Sequence, residues 1–466
     1  MPDEGKDHAV VLGASMAGLL TATVLSRVYG SVTLVERDVL PAGPGHRRGV
    51  PQSRHTHALL ASGVRVLEEL LPGLRAELVA AGARQGDLLA NIRWLFSEHR
   101  LSRTDIGQPM LFCGRQLLEG QVRDRVRKLP GVAFADGQDV IGLTASADRR
   151  RVTGVRIGAE GSADRVIGAD LVVDTTGRGS RTPRWLQELG YRPAPVEKVT
   201  VDVGYSTRAY RLPEGFLGED RLVLHGWTPR SPRAGAIVAV EGGRHLVTLA
   251  GLLGDHPPTD PRAFEEFAGT LHFPDIADAV RAGEPLDEAV AFRYPANVRH
   301  HYERVRDFPD GLLVLGDAAC AFNPAYGQGI TSSALQARAL GRLLAGGQPP
   351  DRRSFFRAAA AAVDDPWTIS TGSDLLFPGV QGRRTPRIRF VNAYLARLHA
   401  AAEADPALSE AFVRVTGLVA PPQSLLRPDR MVKVLLRGGG THAVEPPASG
   451  YTPSSPRVSD RNHTPG

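Results

Sequence analysis

The sequence predicts an α/β fold in which a parallel-sheet domain is interrupted by an antiparallel β insert and followed by a helical region. Three observations lead to this prediction. A strand–glycine–helix pattern occurs at residues 8–25, and a second one follows about 300 residues later, at residues 312–330. Between them, residues 200–253 show the apolar–polar alternation of antiparallel strands separated by turn residues.

The first pattern has the spacing of a Rossmann-like dinucleotide-binding fingerprint. An apolar run at residues 8–12 leads into a glycine turn, a helical pattern follows, and a second apolar run ends in Glu36. The start of such a helix offers unpaired N–H groups to a pyrophosphate, and a carboxylate at position 36 can accept hydrogen bonds from ribose hydroxyls. The predicted cofactor-binding turn consists of Gly13, Ala14, Ser15, Met16, Ala17 and Gly18.

Three residues of this unit bear on which nucleotide binds. Ser15 stands where the fingerprint has its middle glycine, at the position where the backbone approaches phosphate. Glu36 favours an unphosphorylated ribose and therefore FAD or NAD over NADP, whereas Arg37 is a residue type that can meet a 2′-phosphate. The alternative interpretation is an ordinary βαβ turn without a ligand.

Length and composition restrict the class of protein. With 466 residues, 42% of them hydrophobic, the chain is long enough for two or three domains. The net charge of +6 arises from interspersed acidic and basic residues without a basic stripe, which argues against a nucleic-acid partner. No apolar run approaches the roughly 18 residues of a membrane span, and no signal peptide is recognisable. We therefore expect a soluble, cytoplasmic protein.

The side chains that usually bind metals do not form a recognisable site. Cys113 and Cys320 are too few for a disulfide framework, and we expect both to be reduced and buried. The histidines lack carboxylate or cysteine neighbours at metal-ligand spacing, so the sequence predicts no metal.

The remaining elements follow from hydrophobic spacing. They are a helix at residues 59–81, a β segment at 86–106, a helix within 112–126, strands at 132–140, 152–157 and 165–173, the antiparallel strands of 200–253, a helix at 261–282 and a mostly helical stretch at 354–436.

These elements divide the chain into four parts. A discontinuous dinucleotide-binding domain comprises residues 1–85, 107–190 and 290–346, and a substrate-binding β-sheet domain comprises residues 86–106 and 191–289. A C-terminal helical region spans residues 350–437, and residues 438–466, rich in Gly, Pro, Ser and Thr, are predicted to be a disordered tail. No second nucleotide fingerprint is present, which argues against a simple NAD dehydrogenase.

With these pieces placed, the chain resembles the class A flavin monooxygenases, the FAD-dependent hydroxylase and epoxidase superfamily typified by para-hydroxybenzoate hydroxylase. The resemblance covers most of residues 8–340 and is carried by the turn at 13–18 with Glu36, by Asp174-Thr175-Thr176-Gly177, and by residues 316–329. It implies an FAD-binding domain of the glutathione-reductase type. Segments at residues 49–52, 176–180 and 424–428 resemble the bacterial secondary-metabolite branch that includes the polyene epoxidases of polyether biosynthesis and related hydroxylases.

The resemblance implies roles for individual residues. Glu36 would bind the adenosine ribose, Arg115 the FAD pyrophosphate and Asp317 the ribityl chain, while Arg47 or Arg48, of which Arg48 is our candidate, would meet the flavin. The further predicted cofactor contacts are Arg37 and Val140 and, along the isoalloxazine ring, Pro324, Gly327, Gln328 and Gly329.

The resemblance also implies a reaction. Reduced flavin would form a C4a-hydroperoxyflavin with O₂, and one oxygen atom would pass to an apolar, polyketide-type metabolite. Because this transfer needs no nucleophilic side chain, we assign no catalytic residue; His57 and Tyr326 are candidates for polar contacts near the ring. Thr176 stands where the family usually has aspartate, which argues against direct reduction by NAD(P)H and for a separate flavin reductase; both sources of electrons stay open.

Several activities fit these motifs. We favour alkene epoxidation over aromatic hydroxylation by the same superfamily chemistry. A flavin-dependent dehydrogenase or reductase without oxygen insertion is the second hypothesis, and a non-catalytic flavoprotein that binds a partner or a pigment is the third. A flavin halogenase is disfavoured, because none of the four lysines lies in a matching motif.

Overall fold

The computed structural model describes residues 8–437 except for residues 48, 58, 160–162, 229 and 347–350. Two predictions therefore lie outside the described residues: the cofactor contact of Arg48 and the disordered tail at residues 438–466.

A five-stranded, wholly parallel sheet confirms the predicted α/β domain. Its central strands are almost completely buried, as expected for a parallel sheet covered by helices on both faces. In spatial order the strands are Leu312–Val314, Leu171–Asp174, His8–Leu12, Ser31–Glu36 and Val132–Asp136.

A nine-stranded, mainly antiparallel sheet confirms the predicted β insert. This sheet includes the strand Val290–His300, which pairs with Val196–Arg211. Residues 290–346 were predicted to belong to the dinucleotide-binding domain, so the predicted boundary at residue 290 coincides with the start of this strand. In spatial order the strands are Cys320–Ala321, Val290–His300, Val196–Arg211, His245–Gly251, Arg233–Ala239, Leu222–His225, Ile92–Phe96 and His99–Arg100, with Glu284–Pro285 paired to Val196–Arg211. A separate pair joins Arg84–Asp87 and Pro109–Phe112.

Two strand predictions were wrong in their extent. The run at residues 132–140 breaks at Gly137, whose φ of +67° turns the chain out of the parallel sheet. The run at residues 165–173 also divides, and its second half joins the parallel sheet. The remaining pieces form a three-stranded meander, in the order Arg165–Gly168, Val152–Gly158 and Asp139–Ala145.

Two helix predictions were also too long. The helix predicted at residues 59–81 is interrupted at Pro72-Gly73, because Gly73 has a φ of +85° and proline lacks an N–H group. The helix predicted at residues 261–282 is also two helices, of which the first ends at the C-cap Gly269 and the second follows Pro274. The α-helices are Met16–Leu25, Ala61–Leu70, Leu74–Ala80, Arg115–Arg127, Thr182–Glu188, Pro261–Ala268, Asp275–Ala282, Gly329–Leu344, Arg352–Asp374, Pro386–Ala402, Pro406–Thr416 and Pro428–Arg437.

The C-terminal region is helical, as predicted, and its helices begin at well-defined caps. The side chains of Asp351, Thr385 and Asp405 each accept a hydrogen bond from a backbone N–H in the first turn. Within the described ranges, none of the helices combines the length and apolarity required to cross a bilayer. The same residues hold no cluster of three or more metal-binding side chains, and Cys113 and Cys320 are buried and unpaired.

One side chain of this region makes the fold sensitive to acid. The His399 ring packs between Phe96 and Phe412 at centroid distances of 5.5 and 4.6 Å, and its Nδ1 lies 3.0 Å from Ser97 Oγ. Burial lowers the pKa of His399 to about 3, so the folded protein holds a neutral imidazole. The unfolded chain takes up this proton near pH 6.5. The stabilisation is therefore complete above that pH and is lost as the pH falls towards 3.

We expect His399→Asn to reduce the acid sensitivity of thermal unfolding. Asparagine keeps a polar group near the position of Nδ1 but cannot be protonated, and the ionisation of one such histidine costs about 2 kcal/mol at pH 5. Melting curves between pH 7.5 and 5 should therefore fall less steeply for this variant than for the wild type. The matched substitution His272→Asn, at an exposed histidine, should leave the slope unchanged. Equal slopes for all three proteins would contradict the prediction.

Candidate functional site

The carboxyl ends of neighbouring parallel strands bring the predicted motifs to one edge of the sheet. Glu36 ends the strand Ser31–Glu36, and the turn at residues 13–18 follows the neighbouring strand His8–Leu12. Asp174 ends the next strand in space, Leu171–Asp174, and Asp317 follows the one beyond it, Leu312–Val314. Adjacent strands are about 4.8 Å apart, so Glu36 and Asp317 belong to strands separated by about 14 Å. This edge is where open α/β sheets bind extended ligands.

The glycine turn after the first strand and the one at Gly316 lie directly against each other. Gly316 has a φ of +70°, and a Cβ atom there would lie 2.8 Å from the Cβ of Ala17 on the first helix. A Cβ atom at Gly177 would lie 4.0 Å from the Cβ of Asp317. Segments about 300 residues apart in sequence therefore form one continuous surface.

The N-terminal turn is built for close backbone approach. Gly13 has a φ of +93°, and a Cβ atom at Gly18 would lie 1.8 Å from the carbonyl oxygen of Gly13. The helix Met16–Leu25 starts within this turn and has no acidic side chain in its first turn. Its N-terminal N–H groups and partial positive charge are therefore available to an anion.

A buried cluster of charged side chains surrounds this turn. Arg47 pairs with Glu36 at 2.5 Å and with Glu119 at 2.6 Å. Arg115 donates to Ser15 Oγ at 2.9 Å and pairs with Glu119 at 3.0 Å, and Ser15 Oγ donates to Glu119 at 3.0 Å. Burial alone would raise the pKa of Glu119, but Arg115 and Arg47 hold it below its usual value. Ser15 thus connects the turn to the neighbouring helix.

The part that Glu119 plays was not recognised from the sequence. Arg115 and Glu119 are four residues apart on one helix, which places both side chains on the same face. This spacing was the feature of the sequence that could have indicated their ion pair. Arg47, which we did not retain as a cofactor contact, is 7% exposed and joins this cluster from its loop.

Glu36, the residue predicted to bind the ribose, is fixed by hydrogen bonds from the backbone. The Glu36 carboxylate accepts hydrogen bonds from the N–H groups of Ala14 at 2.8 Å and Asp38 at 3.1 Å. Val140 lies two residues after Gln138, whose N–H donates to the Glu36 carbonyl oxygen at 2.9 Å. Both Glu36 and Val140 are therefore at the same end of the edge, whereas the neighbouring Arg37 is exposed.

At the other end, the carboxylate of Asp317 has no hydrogen-bond donor among the described residues. Burial raises its pKa, and the charges of Arg178 and Arg115 oppose this rise. The side chain is half-buried at the edge of the sheet, so its carboxylate is open to a partner from outside the protein. A ligand hydroxyl could donate the hydrogen bond that no described residue supplies.

The segment at residues 323–328, here called the ring loop, follows Asp317. Pro324–Tyr326 is a short 3₁₀ turn, Gly327 has a φ of +63°, and the helix Gly329–Leu344 begins two residues later, close to the start we predicted. Gln328 is 1% exposed and its Oε1 atom has no partner among the described residues. A Cβ atom at Gly329 would lie 3.8 Å from Asp317 Oδ1, so the helix start and the carboxylate face the same space.

The two candidates for polar contacts near the ring are both engaged within the protein. His57 Nδ1 lies 2.8 Å from the carbonyl oxygen of His55, and burial lowers the pKa of His57 to about 3, with Arg115 adding to the effect. The Tyr326 hydroxyl donates to Asp374 Oδ1 at 2.8 Å. Neither side chain is arranged as a nucleophile or as a base beside one.

An apolar cluster of the nine-stranded sheet and of residues 375–380, here called the apolar wall, packs against the ring loop. Ala325 and Tyr326 pack against this wall from the ring loop, and the Arg178 guanidinium lies 5.3 and 5.0 Å from the ring centroids of Phe292 and Tyr294. The sequence analysis singled out the segment containing Arg178 but not its stacking. The buried members of the wall include Val199, Val203, Tyr205, Trp227, Leu252, Tyr294, Leu375 and Phe377.

Comparison with known proteins identifies the family. The model of the FAD binding domain family matches residues 7–347, more than half of the chain. The protein Rv3254 of Mycobacterium tuberculosis is 32% identical over 423 residues, which cover 88% of this chain and 89% of that protein. Kynurenine 3-monooxygenase of Salinispora tropica is 28% identical over 384 residues, which cover 77% and 76% of the two chains. The chain belongs to the FAD binding domain family.

Solved structures share the fold at low sequence identity. A flavoprotein/dehydrogenase from Cytophaga hutchinsonii superposes with a TM-score of 0.67 at 15% identity, over 92% of this chain and 98% of that one. The p-nitrophenol 4-monooxygenase PnpA of Pseudomonas putida DLL-E4 gives 0.63 at 15% identity, over 89% and 99%.

The described residues fit FAD. The glycine turn and the start of the first helix offer N–H donors where a pyrophosphate needs them, and Arg115 lies beside that turn. At the opposite end, the unpartnered carboxylate of Asp317 matches the hydroxyls of a ribityl chain. Donors at one end and acceptors at the other are the arrangement that a flavin dinucleotide requires.

Proposed function

We propose that the protein is an FAD-dependent monooxygenase that transfers one atom of O₂ to an alkene of an apolar, polyketide-type metabolite. The second oxygen atom leaves as water, and two electrons come from a nicotinamide donor. The observation that supports this function most directly is the position of Asp317, which shares the sheet edge with the N-terminal turn and lies beside the start of the helix Gly329–Leu344.

The binding roles follow from the positions of the side chains. The turn at residues 13–18 and Arg115 would hold the pyrophosphate, Glu36 and Val140 would lie at the adenosine end, and Asp317 would accept hydrogen bonds from the ribityl chain. Pro324, Gly327, Gln328 and Gly329 would lie along the isoalloxazine. Bound FAD supplies the redox chemistry, which is the activation of O₂ by a reduced ring.

The protein's own contribution is to exclude water and to orient the substrate. The apolar wall and the nine-stranded sheet, which we propose as the substrate-binding layer, are suited to a large apolar molecule. The helix that begins at Gly329 directs its positive end towards the ring loop. Such an end stabilises a nearby negative charge by about 0.3–1 kcal/mol when exposed and up to about 2 kcal/mol when partly buried.

The source of electrons is part of the proposal. Thr176, at the position where the family usually has aspartate, donates its hydroxyl to Asp174 at 2.6 Å. Asp174 also accepts hydrogen bonds from the hydroxyls of Ser180 and Thr182. The carboxylate next to Thr176 is therefore already engaged by hydrogen bonds within the protein. We therefore include a separate flavin reductase as a partner, with direct reduction by NAD(P)H as the alternative.

The names of two similar proteins support aromatic hydroxylation as the alternative reaction. The Salinispora relative is called a kynurenine 3-monooxygenase, and the structural neighbour PnpA is called a p-nitrophenol 4-monooxygenase. The neighbour from Cytophaga hutchinsonii is called a flavoprotein/dehydrogenase, which supports a reaction without oxygen insertion. The products distinguish these reactions.

The function is tested by cofactor binding and isotope labelling. Purified protein should bind FAD and become yellow, and with NADH or NADPH, a flavin reductase and ¹⁸O₂ it should transfer one labelled atom to its substrate. A panel of apolar polyenes and phenols tests epoxidation against hydroxylation. An oxidised product without label would support the dehydrogenase, and a protein that does not bind FAD would overturn the proposal.

A further inference from the structure

A carboxylate from the C-terminal helical region lies at the centre of a buried network behind the ring loop. Asp374, the last residue of the helix Arg352–Asp374, is 0% exposed. Its Oδ2 atom accepts a hydrogen bond from Asn297 Nδ2 at 2.6 Å. Its Oδ1 atom accepts from Asn323 Nδ2 at 2.9 Å and from the Tyr326 hydroxyl at 2.8 Å. Two of these three donors belong to the ring loop.

A second set of hydrogen bonds fixes the orientation of the two amides. The Asn323 N–H donates to Asn297 Oδ1, and the Tyr205 hydroxyl donates to Asn323 Oδ1 at 2.6 Å. Asn323 Oδ1 also accepts from the Ala325 N–H at 3.1 Å. Because both amide oxygens are engaged, neither amide can turn over to offer an oxygen to Asp374 without losing these bonds.

The network contains no compensating cation. Among the described residues, no arginine, lysine or histidine forms an ion pair with Asp374, and the titratable groups that face it are the hydroxyls of Tyr205 and Tyr326. Burial raises the pKa of Asp374 to about 6, and the hydrogen bonds from Tyr326, Asn297 and Asn323 oppose this rise. Three neutral donors therefore support a buried carboxylate, which is a costly arrangement for packing alone.

We propose that Asp374 is a positioning residue of the FAD site, which holds the ring loop in place through Asn323 and Tyr326 and determines the direction of the Tyr326 O–H bond. The inference rests on the proposed function, because the ring loop is where the isoalloxazine would lie. It assigns to the C-terminal region a direct part in shaping the cofactor site.

The geometry defines two hydrogen-bonding states of the network. With the carboxylate ionised, all three partners donate to it, as observed. Once Asp374 takes up a proton, its own O–H needs an acceptor, and among its three partners only the Tyr326 hydroxyl can change from donor to acceptor. The polarity of this side of the ring loop therefore depends on one proton.

The test compares Asp374→Asn and Tyr326→Phe with the wild type and with Asp365→Asn, a matched substitution on the same helix outside the network. FAD affinity is measured by fluorescence titration, and the visible spectrum of the bound flavin is followed from pH 5 to 8. For the wild type and Asp365→Asn we expect a spectral midpoint near pH 6. For Asp374→Asn we expect no midpoint and about tenfold weaker FAD binding, because at least one buried donor loses its acceptor.

Tyr326→Phe provides an independent measurement. The Tyr326 hydroxyl stabilises the ionised carboxylate, so its removal should raise the pKa of Asp374 and move the midpoint to higher pH. A wild-type spectrum without a midpoint, or a midpoint retained in Asp374→Asn, would overturn the inference. If circular dichroism shows that Asp374→Asn is unfolded, an unshifted midpoint in Tyr326→Phe overturns it instead. A wild type that binds no FAD would refute the proposed function and not this network specifically.

Discussion

Gly18→Ala is expected to destabilise the protein strongly and to abolish FAD binding. The added Cβ atom would lie 1.8 Å from the Gly13 carbonyl oxygen and 2.9 Å from Thr175 Oγ1, so the turn or the first helix would have to move. Overpacking of a dense core typically costs 1–3 kcal/mol, and since a backbone atom blocks this site we expect at least about 3 kcal/mol. The measurements are the thermal midpoint and an FAD titration of the purified variant.

Gly43→Ala is the matched control for this substitution. Gly43 lies in the loop that follows Glu36, and a Cβ atom there would have no neighbour within 4 Å. Its melting temperature and FAD affinity should therefore equal those of the wild type. If Gly18→Ala retained normal FAD affinity, the turn at residues 13–18 would not be the pyrophosphate site.

Asp317→Ala is expected to separate stability from cofactor binding. The Asp317 side chain is half-buried and accepts no hydrogen bond from the described residues, so its removal should leave the melting temperature of the FAD-free protein nearly unchanged. FAD binding should weaken by about 10- to 100-fold, because a hydrogen bond to a charged group contributes about 1.5–3 kcal/mol. Both quantities can be measured on the same preparation.

The exposed Asp307 supplies the control for this second variant. Asp307→Ala removes a carboxylate ten residues earlier in the chain and should change neither the melting temperature nor FAD affinity. A lower melting temperature for Asp317→Ala would indicate that the carboxylate is structural. An unchanged FAD affinity would exclude the proposed contact with the ribityl chain.

The elements that sequence patterns predicted correctly are those with strong local causes. The first strand–turn–helix unit was recognisable because the conformation of Gly13 and the close packing at Gly18 require glycine at a set spacing. The antiparallel insert was recognisable because alternation with period 2 is imposed by one buried face. The start of the helix at Gly329 followed from the same type of glycine-rich turn.

Where predictions failed, either a local turn signal was overlooked or a contact elsewhere in the fold decided the outcome. Residues 132–140 contain the turn signal Asp136-Gly137, and the chain divides there into one strand that pairs with Ser31–Glu36 and one that pairs with Val152–Gly158. The strand Val290–His300 joins the nine-stranded sheet because Val196–Arg211 is long enough to pair along its length. Local patterns carry no information about which sheet a strand will join.

Local spacing was sufficient to establish the α/β fold and a dinucleotide-type turn, because steric limits on the backbone act within a few residues. Three contacts depend on how distant segments pack: that of Ala17 with Gly316, the Arg47–Glu36–Glu119 cluster, and that of Asp374 with Tyr326. The two polar ones gain strength because burial removes water from both partners, and burial is a property of the whole folded chain.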